Sequence, residues 1–381
     1  MKRDGPSLED NSARLDRNIF YLFSFFLGLG GGTLSFIIYI ISRFFILKSW
    51  RFKFDIYPVF ITISFLLSAT FSSHRNFSLG SFVIFLLLYI TYLFLRKKEL
   101  DREDTTKVLD YFNFGATLLA FGGIIGYLYK GVYADTPFLG KNGIGTILAT
   151  AIPITQLSIV SKSEIYYLIF FIFITSGLIL SMSQGAWVGL ALGEILLLIF
   201  GGKKIRKSIG VLALFTIISL AIFSIHSLLT GNSLLSFFHT RLDLNSTSKI
   251  ERIYIWKSSI KMFLDHPITG IGIGTFPLVY PNYKLPEAHE VSMSFAHNLI
   301  LNLLVETGIL GFLSFFAFVI SLYKKGLRLY KKTQDDLTLI LLSSLTAYLG
   351  HQLFDGTIWS LHIGLIFWFM GAIILNLCEK S

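Results

Sequence analysis

The sequence predicts an all-α, polytopic membrane protein with about twelve transmembrane helices and one long hydrophilic loop that contains an interfacial helix. Three features predict it. Of 381 residues, 53% are hydrophobic and 15% charged, whereas an ordinary soluble domain is about 25% charged. Apolar runs recur along the chain, each near the ~20 residues that cross a bilayer as one helix. Short Lys and Arg clusters separate them and fall on alternate turns, the pattern of loops retained in the cytoplasm. With 38 Phe and 17 Tyr, these runs call for lipid as their solvent rather than a single protein core.

Residues 1–17 form a tail carrying Lys2, Arg3, Arg14 and Arg17. Residues 18–47 are long for one crossing and short for two; a hairpin turning at Gly28, Gly30, Gly31 and Gly32 puts the basic tail beside the other basic clusters. A cleaved signal peptide fits less well, because the apolar run resumes at once and no A-x-A site follows. Further spans are expected at 55–71, 77–95, 109–129, 142–160, 165–182, 185–200 and 208–229, so residues 18–229 hold nine helices. A loop at 230–296 precedes three more, at 297–322, 336–354 and 358–377, and residues 378–381 end the chain. Lys and Arg after Leu95, after Gly202 and between Tyr323 and Thr333 all fall on one side. That places both termini in the cytoplasm and the long loop on the outer face of the cytoplasmic membrane.

Composition also removes several function classes. Cys378 is the only cysteine, so no internal disulfide or thiolate zinc site is expected. The net charge of +10 is spread over short loops, where topology explains it better than nucleic-acid binding. The Gly runs at 28–32 and 270–274 lack the strand and helix setting of a nucleotide loop. All eight histidines, His74, His226, His239, His266, His289, His297, His351 and His362, fall on the outer half of this map. Polar groups at that depth are expected to face the bundle interior.

Within the outer loop, Ser248 and Glu251 have capping-box spacing and open a helix to about Leu264, which Pro267 ends. Ile253, Trp256, Ile260, Phe263 and Leu264 recur at helical spacing, while Lys249, Arg252, Lys257 and Lys261 take other faces. A helix of this kind lies along a membrane interface, either as scaffold or as a basic shelf over an anionic head group.

The stretch ERIYIWKSSIKMFLDHPITGIGIGTFPLVYPNY, followed by AHNLILNLLVETGILGF, resembles the signature of the O-antigen ligase and O-antigen polymerase superfamily. The matching residues are Arg252, the aromatic Trp256, His266 with Pro267, Gly272, Gly274, Phe276, His297 with Asn298, and Glu306, Gly308 and Gly311. Two further segments resemble it more weakly: FLGKNGIGTILATAIPI, with Lys141 and Asn142, and SMSQGAWVGLALG. In the second the family usually has Ser-Arg-Gly or Ser-Arg-Ala; this chain has Gln184, which supplies hydrogen bonds but neither charge nor a guanidinium fork.

The resemblance implies a GT-C-like, metal-independent membrane glycosyltransferase without a cofactor. Its partners are a polyprenyl-diphosphate-linked glycan as donor, a hydroxyl-bearing glycan, lipid or protein as acceptor, and the bilayer. It implies a diphosphate-binding role for Arg252 first, then Arg241 and Lys141, with Gln184 in the place of the family Arg, since cations clamp a diphosphate leaving group. His297 is the catalytic candidate: a neutral imidazole there is suited to take a proton from the acceptor hydroxyl, or alternatively to donate to a phosphate oxygen. Asn298, Trp256, His266 and Glu306 are expected as site wall or scaffold. Asn298, Asn302 and Glu306 form one polar stripe, and a continuous helix would set His297 and Glu306 on opposite faces, with Glu306 about 13 Å deeper. Glu194, in place for a relay, and Gln156 are expected rather to pair with neighbouring helices, or Glu194 to stay protonated. His351, Gln352, Asp355 and His362 cap an outer turn or complete the site wall. A polymerase or protein oligosaccharyltransferase is the nearest alternative, and a lipid-glycan flippase or non-catalytic assembly factor the alternative of another class.

Overall fold

The structure, a computed structural model, describes residues 8–46, 52–97, 100–130, 133–161, 164–229 and 246–380. It is 82% helical and, among the described residues, has no strand. Arg241 and His239 of the outer loop lie outside the described residues.

Every expected span falls on a helix. The N-terminal hairpin is α1 (Leu8–Gly28) and α2 (Gly32–Ile46), turning where the glycines stand. There follow α3 (Ile56–Phe71), α4 (Arg75–Lys97), α5 (Arg102–Lys130), α6 (Lys141–Ser161), α7 (Ile165–Leu180), α8 (Gln184–Phe200) and α9 (Lys203–Leu229). The long hydrophilic segment contributes α10 (Thr247–Asp265) and α11 (Phe276–Tyr283); α12 (Leu299–Thr333), α13 (Asp336–Gln352) and α14 (Leu361–Lys380) complete the bundle. Among the described residues, α4, α5, α12 and α14 are long and apolar enough to cross a membrane, and α2, α3, α7 and α8 carry shorter apolar stretches.

The core is aromatic: Phe20, Phe23, Tyr39 and Phe369 form one cluster and Tyr92, Phe318, Phe367 and Trp368 another, all buried. Where α8 meets α13, Gly189 and Gly193 lie against the backbone at Ala347 and Ser343, the close approach that small residues allow between helices in lipid. Glu194 finds a partner at mid-helix, accepting from Gln156 Nε2 at 3.2 Å.

Helix ends sort into two sets. At one end Arg96, almost fully buried, pairs with Asp55 and Glu379, Asn376 donates to the Leu95 carbonyl at 3.0 Å, and Tyr330 donates to the Phe200 carbonyl at 3.0 Å. At the other end Ser72, just after α3, and Ser78, in the first turn of α4, donate to the carbonyls of Ile271 and Ile273. The starts of α6, α8 and α10 and the end of α13 share one cavity there.

Three sequence-based expectations are corrected here. The α10 helix starts at Thr247 with Ser246 at the N-cap position, so Ser248 and Glu251 form no capping box; Glu251 instead accepts from the backbone N–H of His289 and Glu290 at 2.9 and 3.3 Å. α12 begins at Leu299, leaving His297 outside it with φ 50°. Nor is α12 continuous: Gly308, at φ 62° and ψ −170°, breaks it. A conformation with φ > 0 suits glycine because it lacks a Cβ, and a Cβ at Gly308 would collide with the Ile268 carbonyl. The carbonyls freed by the break are taken by the glycine turn of the outer segment, with Ile271 N–H donating to Val305 O at 2.9 Å and Gly272 N–H to Glu306 O at 3.0 Å. Irregular backbone at membrane depth is tolerated where protein satisfies it in this way.

Candidate active site

The site is built at the end of the bundle where the glycine turn and α10 dock. Lys141 and Asn142 open α6; Ser183 and Gln184 open α8; Lys249 and Arg252 lie in the first two turns of α10; His351 ends α13. All seven line one cavity of ≈ 230 Å³. Three of the four sequence-predicted diphosphate ligands, Lys141, Gln184 and Arg252, are therefore together, and Lys249 joins them. No carboxylate lines the cavity among the described residues. Lys141 Nζ also stands 5.4 Å over the Tyr133 ring.

The cavity floor is a chain of side-chain hydrogen bonds. His351 is buried, with Thr146 Oγ1 at 2.8 Å from Nδ1 and Ser183 Oγ at 3.3 Å from Nε2; Ser183 Oγ donates to Asn142 Oδ1 at 3.2 Å. Thr146 also donates to the Asn142 carbonyl at 2.9 Å; with both hydroxyl protons committed to Asn142, a neutral His351 gives its one ring N–H to one of the two hydroxyl oxygens.

His297 sits beside this cavity and does not line it. Its position is held by the residue before it: Ala296 N–H donates to Asn302 Oδ1 at 3.0 Å, and the Ala296 carbonyl accepts from Trp256 Nε1 at 3.1 Å. Asn298 caps α12, accepting from Ile300 and Leu301 N–H at 3.0 and 3.1 Å. Asn302 Nδ2 reaches Glu306 Oε2 at 3.2 Å, and Glu306 Oε1 accepts from Phe276 N–H at 3.3 Å. Trp256, Asn298, Asn302 and Glu306 are thus tied by hydrogen bonds to the backbone on either side of His297 or to one another, and Asn302 and Glu306 of α12 are buried in protein. His266, which the sequence grouped with them, is exposed at the end of α10 and lies outside the cavity.

His297 Nδ1 is 3.8 Å from Asp355 Oδ1 and is buried without a hydrogen bond. Burial, reinforced by the Arg252 charge, lowers the His297 imidazole to a pKa of about 4. Burial raises Asp355 to about 6, opposed by the Gly356 N–H and by Arg252. Arg252 is itself pulled down by burial and supported by Asp355. A neutral imidazole next to a largely ionised carboxylate near neutral pH is a proton acceptor whose charged form has a waiting partner.

The two comparisons bear on this geometry. Residues 169–316 match the family model for O-antigen ligase. Within that stretch, less than half of the chain, the protein is similar to O-antigen ligases. The stretch contains Gln184, Lys249, Arg252, Trp256, His266, His297, Asn298 and Glu306, and ends before His351 and Asp355. No curated protein matches the chain.

From the sequence, His351 and Asp355 are expected to cap an outer turn or complete the site wall, and Lys249 to sit on a basic helix face. The signal for the first two was their four-residue spacing at an outer span end. For Lys249 it was the three-residue interval to Arg252, which puts two cations on adjoining positions of one helix face.

Proposed function

We propose that this protein transfers a glycan from a polyprenyl-diphosphate carrier to a hydroxyl acceptor on the outer face of the cytoplasmic membrane, as an O-antigen ligase does. The observation that carries the reading is the convergence of Lys141, Lys249 and Arg252 on one cavity beside the His297–Asp355 pair. Arg252 and the two lysines hold the diphosphate, and Lys249 supplies the charge that Gln184 lacks. The acceptor oxygen attacks the anomeric carbon as the bond from that carbon to the diphosphate oxygen breaks. The acceptor proton passes to His297, and the imidazolium is stabilised by Asp355 across the present 3.8 Å gap. The diphosphate leaves with the bonding electron pair, its charge balanced by the three cations. No metal takes part in these steps.

The test is transfer by purified protein given a defined polyprenyl-diphosphate glycan and a panel of glycan, lipid and peptide acceptors, with and without EDTA. Transfer that persists in chelator and is lost in Arg252→Ala is the expected result. Activity abolished by EDTA and restored by one divalent ion overturns the metal-free mechanism. Movement of the intact donor across a bilayer without glycan transfer makes the protein a flippase.

A further inference from the structure

Glu194 stands on α8 about 15 Å along the helix from Gln184, at 1.5 Å per residue, and the proposed transfer makes no use of it. Its side chain is buried, Gln156 Nε2 donates to Oε2 at 3.2 Å, and Oε1 is buried without a hydrogen-bond partner among the described residues. The amide that makes this contact leaves its own oxygen, Gln156 Oε1, buried without a partner as well. A buried acceptor without a donor is costly, and a carboxylate oxygen more so, unless a proton, a water or an ion meets it.

Two more oxygens come from α13. Thr150 and Thr155 of α6 donate to carbonyls one turn back in their own helix, at 2.7 and 2.9 Å, whereas the hydroxyls of Ser343 and Ser344 are buried and without a partner among the described residues. A Cβ on Gly193 would lie 3.0 Å from Ser343 Oγ, which sets that hydroxyl against the residue before Glu194. The depth agrees from the other side. α6 starts and α13 ends at the cationic cavity, where Thr146 meets His351; from that contact Gln156 lies about 15 Å along α6, and Ser343 and Ser344 about 12 and 10.5 Å along α13. The four groups therefore share one level of the bundle to within about one helical turn of 5.4 Å.

We infer that Glu194, Gln156, Ser343 and Ser344 form a site for one monovalent alkali cation, sodium or potassium, that ties α6, α8 and α13 together in mid-bundle. The ligand set is carboxylate, amide carbonyl and hydroxyl oxygen, with no nitrogen or sulfur, and suits a hard cation rather than a transition metal. Charge decides the valence. Glu194 is the one acid of the set, so a monovalent ion leaves the site neutral, as a low-dielectric interior requires; among the described residues no group of three His, Cys, Asp or Glu side chains is placed to hold a metal of higher charge. The same three helices carry Asn142, Gln184 and His351 to the cationic cavity, so the cation fixes the spacing of that cavity's walls without entering the transfer steps.

Purified full-length protein in nanodiscs is titrated with radioactive sodium in choline chloride at constant ionic strength, with potassium as competitor. In parallel it is treated with dicyclohexylcarbodiimide, which modifies protonated carboxyl groups in apolar surroundings, and the modified residue is mapped by mass spectrometry. Saturable binding of one ion per chain is expected, together with labelling of Glu194 in choline that either sodium or potassium suppresses. Glu194→Gln should abolish ion binding, and the milder Ser343→Ala should weaken it by about tenfold in protein that folds normally. Wild-type protein that binds neither ion overturns the site; labelling of Glu194 that neither ion diminishes then assigns the carboxyl a proton. Ion binding unchanged in both Glu194→Gln and Ser343→Ala places the cation elsewhere and overturns it as well.

Discussion

His297 and Glu306 lie in one short stretch of chain, and the proposed mechanism gives them different work. His297 is partly accessible beside the cavity, so His297→Ala should leave folded yield near normal and abolish transfer. Glu306 is fully buried and receives Asn302 and Phe276; Glu306→Ala strands both donors, at a cost of about 1–3 kcal/mol for each, and should chiefly lower the yield of folded protein while the surviving fraction keeps measurable transfer. The reverse pattern, an inactive but well-folded Glu306→Ala and an active His297→Ala, would reassign the base. The pH profile tests Asp355. Since His297 stays neutral down to about 4 and Asp355 ionises above about 6, the rate should fall as pH drops through about 6. Asp355→Asn should show a low rate that no longer changes across that range. Among the proposed diphosphate ligands, Arg252→Ala and Lys249→Ala should each raise the donor KM more than Gln184→Ala, because only the first two remove a charge; equal effects in a transfer assay would count against this division.

At the scale of elements, the broken α12 and the glycine turn are one device. The turn satisfies the carbonyls of Val305 and Glu306, and Ser68, Ser72 and Ser78 of α3 and α4 bind the same strip of backbone. It thereby brings α10, which carries Arg252, against α12. Gly308→Ala forces a side chain into a left-handed conformation, costing about 1–3 kcal/mol, and should lower the melting temperature in detergent. Trp256→Phe is subtler: it keeps most of the packing and removes the hydrogen bond to Ala296. Its expected signature is a reduced kcat with little change in donor KM or melting temperature, because it loosens His297 and not the cation cavity.

Across the whole molecule, the candidate site and the Arg96 cluster occupy opposite ends of the bundle. The Arg96 cluster joins α4 to α14 and to the start of α3 at the end away from the cavity. Removing one partner of a buried ion pair costs about 3–5 kcal/mol, so Arg96→Met should cut folded yield sharply, and in the folded fraction transfer per molecule should be near normal. Sidedness is checked by labelling in intact cells: a cysteine at Asn282 should react with an impermeant reagent and one at Lys204 should not. Labelling of Lys204 from outside would invert the topology and move the site into the cytoplasm.

The sequence by itself determined the helices, because apolar length and basic punctuation are local properties; it also nominated Arg252, Lys141, Gln184 and His297, whose resemblance to the superfamily lies in contiguous residues. Tertiary structure decided what those residues meet. Asp355 reaches His297 across 58 positions of sequence, and His351 reaches Thr146 and Ser183 across 205 and 168, separations that no helical period encodes. The capping box failed for a related reason: Glu251 had the local spacing to cap its own helix, but the His289–Glu290 backbone brought it two donors from a distant segment. The break at Gly308 was equally hidden, since a glycine inside an apolar run reads as a packing residue until another piece of backbone arrives to take the freed carbonyls. Local periodicity fixes where a helix forms; only the packed bundle fixes which ends meet and hence where charge, base and cavity coincide.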